Sequence, residues 1–112
     1  MKEERPWGWY EVIDKGSSYK VKSIQVEPGK SLSLQRHMHR SEHWVVVEGT
    51  ALVQVGDNKE FVNVNEGSYV PICAIHRLSN PGKIPLRIIE VQCGNYLEED
   101  DIERFDDDFG RL

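Results

Sequence analysis

At 112 residues the chain can build one compact domain with a core of its own and is too short for two. Hydrophobic residues make up 38% and charged residues 29%, which excludes a disordered or fibrous protein. The formal net charge of −5 excludes a broad nucleic-acid footprint, and it has one source: Glu98 to Asp108 sets eight acids against one arginine, so the rest is slightly basic and leaves room for a small anion.

Met1 to Pro6 is charged and lacks the apolar segment of a signal peptide, and no apolar run nears the roughly 20 residues needed to cross a bilayer. The expectation is a cytoplasmic protein with no membrane or nucleic-acid partner. Trp7, Trp9 and Trp44 read as core or rim aromatics. Short alternating or β-branched runs follow at Tyr19–Glu27, Leu32–His37, His43–Val47, Ala51–Val55, Glu60–Val64, Ser68–Ile72 and Leu86–Cys93. Turn signals separate them at Pro28-Gly29, Glu48-Gly49, Gly56-Asp57-Asn58, Glu66-Gly67 and Asn80-Pro81-Gly82. Turns about ten residues apart predict an all-β antiparallel sandwich or barrel.

The last segment differs. Leu97, Ile102, Phe105 and Phe109 suggest an amphipathic helix or a solvated acidic tail, placed apart from any chemistry of the core. The reading is a single domain over residues 1–112, with the barrel core at about 17–95 and the acidic tail at about 96–112. Cys73 and Cys93 form no CxxC pair and are expected as small buried hydrophobes, without a disulfide or a thiolate zinc site.

Within Ser31 to His39, Leu32 and Leu34 fall on one face, while Ser33, Gln35, His37 and His39 fall on the other. A small barrel normally fills its interior with apolar groups, so a polar face of this kind predicts a cavity for an ion or ligand. Gln35, His37, Glu42 and His76 carry suitable donors in two clusters, Gly29 to Gly49 and Gly67 to Asn80, and mixed N and O ligands suit one borderline divalent metal. His43 alternates away from Glu42 and is expected to face outward.

The two clusters resemble the paired motifs of the cupin superfamily, in which two histidines and a glutamate join a histidine from the second motif. Gln35 stands where the first histidine is usual, and Cys73 where a glycine is usual. A closer resemblance runs from Arg5 to Arg111. The string Gln35-Arg36-His37-Met38-His39-Arg40-Ser41-Glu42-His43-Trp44, with Arg5-Pro6-Trp7-Gly8, Tyr69-Val70-Pro71, His76-Arg77-Leu78 and Glu90-Val91-Gln92, is similar to the signature of type II mannose-6-phosphate isomerases. In many members this module is the C-terminal part of a bifunctional enzyme whose first domain is a guanylyltransferase. Here the isomerase module is expected to stand alone.

That resemblance implies a small cupin barrel and the interconversion of mannose 6-phosphate and fructose 6-phosphate, a step of carbohydrate metabolism leading toward GDP-mannose. It implies one divalent ion per chain, zinc first with iron, manganese, cobalt and nickel as alternatives, held by Gln35, His37, Glu42 and His76. The reaction needs a base, for which His39 and Glu90 both stand, and a phosphate anchor, for which Arg40 leads and Lys83 and Arg87 follow. Two rival readings remain: a non-haem iron oxygenase built on His37, Glu42 and His76, and a sugar-binding or regulatory protein without catalysis. A homodimer through barrel edges is expected.

Overall fold

A computed structural model describes all residues from Met1 to Leu112. Eleven strands form two antiparallel sheets, and there is no helix. They are β1 (Lys2–Arg5), β2 (Gly8–Lys15), β3 (Tyr19–Val26), β4 (Leu34–Arg36), β5 (Arg40–Glu48), β6 (Ala51–Val55), β7 (Asn58–Val62), β8 (Gly67–Val70), β9 (His76–Ser79), β10 (Leu86–Gly94) and β11 (Glu103–Asp106). One sheet runs β1-β2-β3-β10-β5-β8, the other β11-β4-β9-β6-β7.

The seven strands expected from alternation are all present, Ala51–Val55 with the expected bounds and the others with shifted ends. β7 begins at Asn58 because Gly56 and Asp57 form a two-residue turn that pairs Val55 with Asn58. β1, β2, β9 and β11 had no clear signal: β1 is charged throughout, and the outer half of β2 leaves Val12 and Ile13 exposed. The expected C-terminal helix is not formed. Residues 103–106 instead pair with β4, and the aromatic Phe109 packs against the core. At the β5–β6 turn Gly49 has φ +82, and a Cβ there would lie 2.8 Å from the Pro85 carbonyl oxygen, so only glycine fits without strain.

The interior divides into an apolar end and a polar end, and each long strand carries both. Along β10, Leu86 and Ile88 are buried in the core while Glu90 and Gln92 are buried further on. β5 runs from Val46 and Trp44 to Glu42 and Arg40, β3 from Val26 and Ile24 to Lys22, and β9 from Leu78 to His76. Of the 27 buried residues, 13 are polar or charged, far more than a structural core tolerates without purpose. The polar end is where the chemistry must be sought.

The expectation that Cys73 and Cys93 are small buried hydrophobes is corrected: both free thiols are exposed. Cys73 follows the Pro71-Ile72 turn with φ 69, the left-handed conformation in which glycine is strain-free, which explains why a glycine is usual there and why the thiol is turned to solvent. Cys93 lies on the outward-facing phase of β10.

Candidate active site and metal centre

Strand register assembles the polar cluster. Gln35 on β4 pairs with His76 on β9, and on the opposite sheet Gln92 pairs with Glu42 and Glu90 with Trp44. Because residues two apart on a strand share a face, Glu42 follows Trp44 and Val46 into the interior. The ligand-type atoms of His37, Glu42 and His76 lie within 4.8 Å of one another, all buried.

The two histidines are presented in one tautomer. His37 Nδ1 donates to the Asp101 carbonyl oxygen at 2.7 Å, and His76 Nδ1 donates to the Ala74 carbonyl oxygen at 3.0 Å. A carbonyl can only accept, so each ring carries its proton on Nδ1 and turns the Nε2 lone pair inward, the arrangement of metal-binding histidines. His76 Nε2 then faces Glu42 Oε1 at 3.3 Å, and both atoms are buried without a hydrogen-bond partner. Two lone pairs meeting in a dry interior repel unless a cation lies between them. His37 Nε2 is 3.8 Å from Glu42 Oε2. Donors bound at about 2.0–2.2 Å to one ion lie roughly 3–3.6 Å apart, so the cluster fits a divalent metal with little movement.

The titration behaviour agrees with that fit. Burial drives the His37 imidazole down to about 4 against the pull of Glu42, so it is neutral and able to ligate. Burial alone would raise the Glu42 carboxyl, but His76, Arg40 and His37 more than offset it and hold the group ionised. His76 is raised despite burial, because Glu42 invites a proton onto the same Nε2 that a metal would take.

Gln35 is buried beside this cluster, its Oε1 accepting from the Ser33 hydroxyl at 3.0 Å. Arg40 Nε donates to Glu42 Oε2 at 3.2 Å and its Nη2 to His37 Nε2 at 3.3 Å, while Nη1 is buried without a partner. The cluster opens onto a cavity of about 170 Å³ lined by both sheets. Glu90 lines it, with Oε2 accepting from the Trp44 indole at 2.8 Å and Oε1 from the Gln92 amide at 2.7 Å. Burial, then the Glu42 charge, push the Glu90 carboxyl up to about 7, with Lys22 and Arg40 opposing.

Other expected residues lie elsewhere. His39 is exposed, edge-on to the Tyr96 ring at 5.8 Å, because β4 ends at Arg36 and a bend at residues 38–39 breaks the alternation that would have turned it inward. Lys83 is exposed in the β9–β10 loop. Arg87 lies on the outer face of the six-stranded sheet, 2.7 Å from Gln25 Oε1 and over the Trp9 ring. His43 faces outward as expected, against Tyr69.

The acidic segment is not remote from the site, contrary to expectation. Asp101 caps the His37 loop: its carboxylate accepts the Met38 and His39 backbone N–H groups at 2.9 and 3.0 Å, and its carbonyl accepts His37 Nδ1. Arg5, Lys22, Glu99, Arg104 and Arg111 line the cavity and were missed as site residues. The signal for Arg104 was available in its two-residue spacing from Ile102 in a β-like run, but the density of acids around it favoured a solvated tail.

The family model described as mannose-6-phosphate isomerase C-terminal matches residues 1–107. The chain belongs to that family. It is 59% identical over 107 residues to the alginate biosynthesis protein AlgA of Pseudomonas putida, covering 96% of this chain and 22% of that protein. It is 56% identical over 108 residues to a mannose-1-phosphate guanylyltransferase of Escherichia coli, covering 96% and 23%. The chain thus spans under a quarter of the curated relatives it matches. Among solved structures, the cupin domain of Schizosaccharomyces pombe Cnp3 superposes with a TM-score of 0.72 at 15% identity, over 77% of this chain and 64% of that one. The fold is a small cupin barrel.

Proposed function

We propose that the chain is a metal-dependent aldose–ketose isomerase that interconverts mannose 6-phosphate and fructose 6-phosphate. The observation that carries this reading is the buried His37, Glu42 and His76 set, with unpartnered His76 Nε2 and Glu42 Oε1, beside a cavity that also holds a buried carboxylate, Glu90. Family membership supports the substrate. Gln35 is the fourth proposed ligand, and the N and O donor set suits zinc first, with iron, manganese, cobalt or nickel also able to bind. A divalent ion there supplies Lewis acidity toward the carbonyl and hydroxyl oxygens of the sugar.

The protein's own groups move the carbon-bound proton. Glu90 takes the proton from C2 of the aldose and returns it to C1, while the C2 hydroxyl proton passes to O1. The Trp44 and Gln92 donors hold both Glu90 oxygens in place, and a carboxyl near 7 suits a base that must also release its proton. Arg40, tied to Glu42 through Nε, orients that ligand; its Nη2 contact takes the His37 Nε2 lone pair that a metal would use, so with a metal held there Nη2 joins the unpartnered Nη1 in facing a sugar oxygen. Exposed Val45, Val47 and Tyr69 on one outer face suit the homodimer proposed for the chain in the cytoplasm.

Anaerobic assay of metal-reconstituted protein with mannose 6-phosphate and with glucose 6-phosphate tests the reading. Turnover of the first without oxygen is expected. Glu90→Gln should lower kcat by about 10²–10⁴-fold with metal content unchanged. A fully loaded parent that is inert toward mannose 6-phosphate would reject the isomerase.

A further inference from the structure

Three guanidinium groups meet at the cavity, and the metal chemistry uses none of them. Arg5 closes β1 on the six-stranded sheet, while Arg104 on β11 and Arg111 beyond it come from the other side. Arg104 pairs in register with Gln35, so its Cα stands beside a proposed metal ligand. Its Nε is buried with no hydrogen-bond partner. Burial and the nearby charges of Arg111 and Arg5 both disfavour its cation, with Asp107 alone opposing.

The charges at this end do not balance. Asp107 is taken up by Arg111, through contacts of 2.8 Å to Nε and 3.0 Å to Nη2. Arg5 has only neutral partners, the Glu4 carbonyl at 2.7 Å and the Tyr10 hydroxyl at 3.2 Å. Elsewhere in the cavity Lys22 is paired with Glu99 at 2.9 Å and Arg40 with Glu42 at 3.2 Å. Three cations therefore share one carboxylate, in a partly desolvated pocket where like charges repel. A dianion would relieve that repulsion and match the planar fork of each guanidinium.

We infer that Arg5, Arg104 and Arg111 form the clamp for the substrate's phosphate group, a subsite built by the two ends of the chain and distinct from Arg40. The inference rests on the isomerase reading for the sugar that carries the phosphate, but not for the anion site itself. The segment after β10 then supplies two of the three guanidiniums, and so decides between phosphorylated and free sugars.

The test combines binding and kinetics. Inorganic phosphate and mannose 6-phosphate are titrated calorimetrically into metal-loaded parent, Arg104→Gln, Arg5→Gln, Arg104→Lys and, as a control on the outer face, Arg87→Gln, with metal content measured for each. Arg104→Gln and Arg5→Gln should weaken binding of both probes about ten- to a hundredfold with the metal retained, and Arg104→Lys should recover only part of it. In turnover the loss should appear mainly as raised KM for mannose 6-phosphate, with kcat changed far less. Phosphate affinity unaltered in Arg104→Gln and Arg5→Gln, or lost only in Arg87→Gln, would overturn the clamp. A parent that binds phosphate through Arg104 yet never isomerises mannose 6-phosphate would uphold the clamp while rejecting the isomerase.

Discussion

The His37, Glu42 and His76 cluster and the segment from Glu98 to Arg111 border the same cavity, yet they are encoded differently. The cluster rests on short-range alternation: Glu42 and Trp44 share a strand face, and one register pair sets Gln35 beside His76. The terminal segment rests largely on pairing across long separations, with four of its acids meeting cations of distant strands. Glu99 meets Lys22 at 2.9 Å, Glu103 meets Arg36 at 2.8 Å, and Asp106 and Asp108 each meet Arg77 at 3.1 Å. A run of like charge that looks solvated along the chain is, in space, a row of counterions tying a strand across the barrel mouth.

The largest effect separates the two regions outright. His76→Ala and Glu42→Ala each remove a donor from a buried three-residue set, so elemental analysis of metal-reconstituted protein should find the proposed ion essentially gone and the proposed isomerisation lost with it. Arg77→Ala, which unties Asp106 and Asp108 on the rim, should leave metal content at the parent level. Equal occupancy in His76→Ala and the parent would remove the metal centre from this cluster.

A smaller effect probes where the regions touch. Asp101 is the one acid of the segment that reaches the ligands, through two backbone N–H groups and the His37 ring. Asp101→Ala keeps the carbonyl but frees the Met38 and His39 amides, and groups that orient a ligand are typically worth about 10–100-fold in metal affinity. Competition with a chelator should show a loss in that range, and Asp108→Ala should show none. If both variants bind alike, the segment is a cover and not a support for the site.

These contrasts explain what could be read from the residues alone. Alternation along β5 and β10, with the turns at Gly29, Gly49 and Gly67, is a local property, so the all-β class and the candidate ligands were legible. His39 was not, because the bend at residues 38–39 reverses the side-chain phase and no composition rule marks that bend. Arg87 and Lys83 were chosen by charge, without the register that sets Arg87 on the outer face beside Gln25. The cavity arginines Arg5 and Arg104 lie about a hundred residues apart, and only the closing of both sheets brings them to one space.

The smallest effect concerns how firmly the segment is fastened. Asp107 Oδ2 accepts the Arg111 backbone N–H at 2.6 Å and Arg111 Nε at 2.8 Å, and Oδ1 accepts Nη2 at 3.0 Å. The Arg111 hydrogen bonds, working against burial, pull the Asp107 carboxyl from 3.8 down to about 2. A folded-state value below the unfolded one means that the native form prefers the charged group. Its contribution is therefore complete above about pH 4 and is lost as the pH falls through about 2, and from the shift it amounts to on the order of 1–2 kcal/mol. Asp107→Asn should lower the denaturant midpoint of metal-free protein at pH 5, and the gap from the parent should narrow steadily toward pH 2. The Arg36–Glu103 pair, half exposed on the outer side, should give a smaller gap for Arg36→Ala, under about 1 kcal/mol. A gap for Asp107→Asn that stays constant from pH 5 to pH 2 would mean that the carboxylate charge does not fasten the segment, and that packing of Phe109 and Ile102 holds it alone.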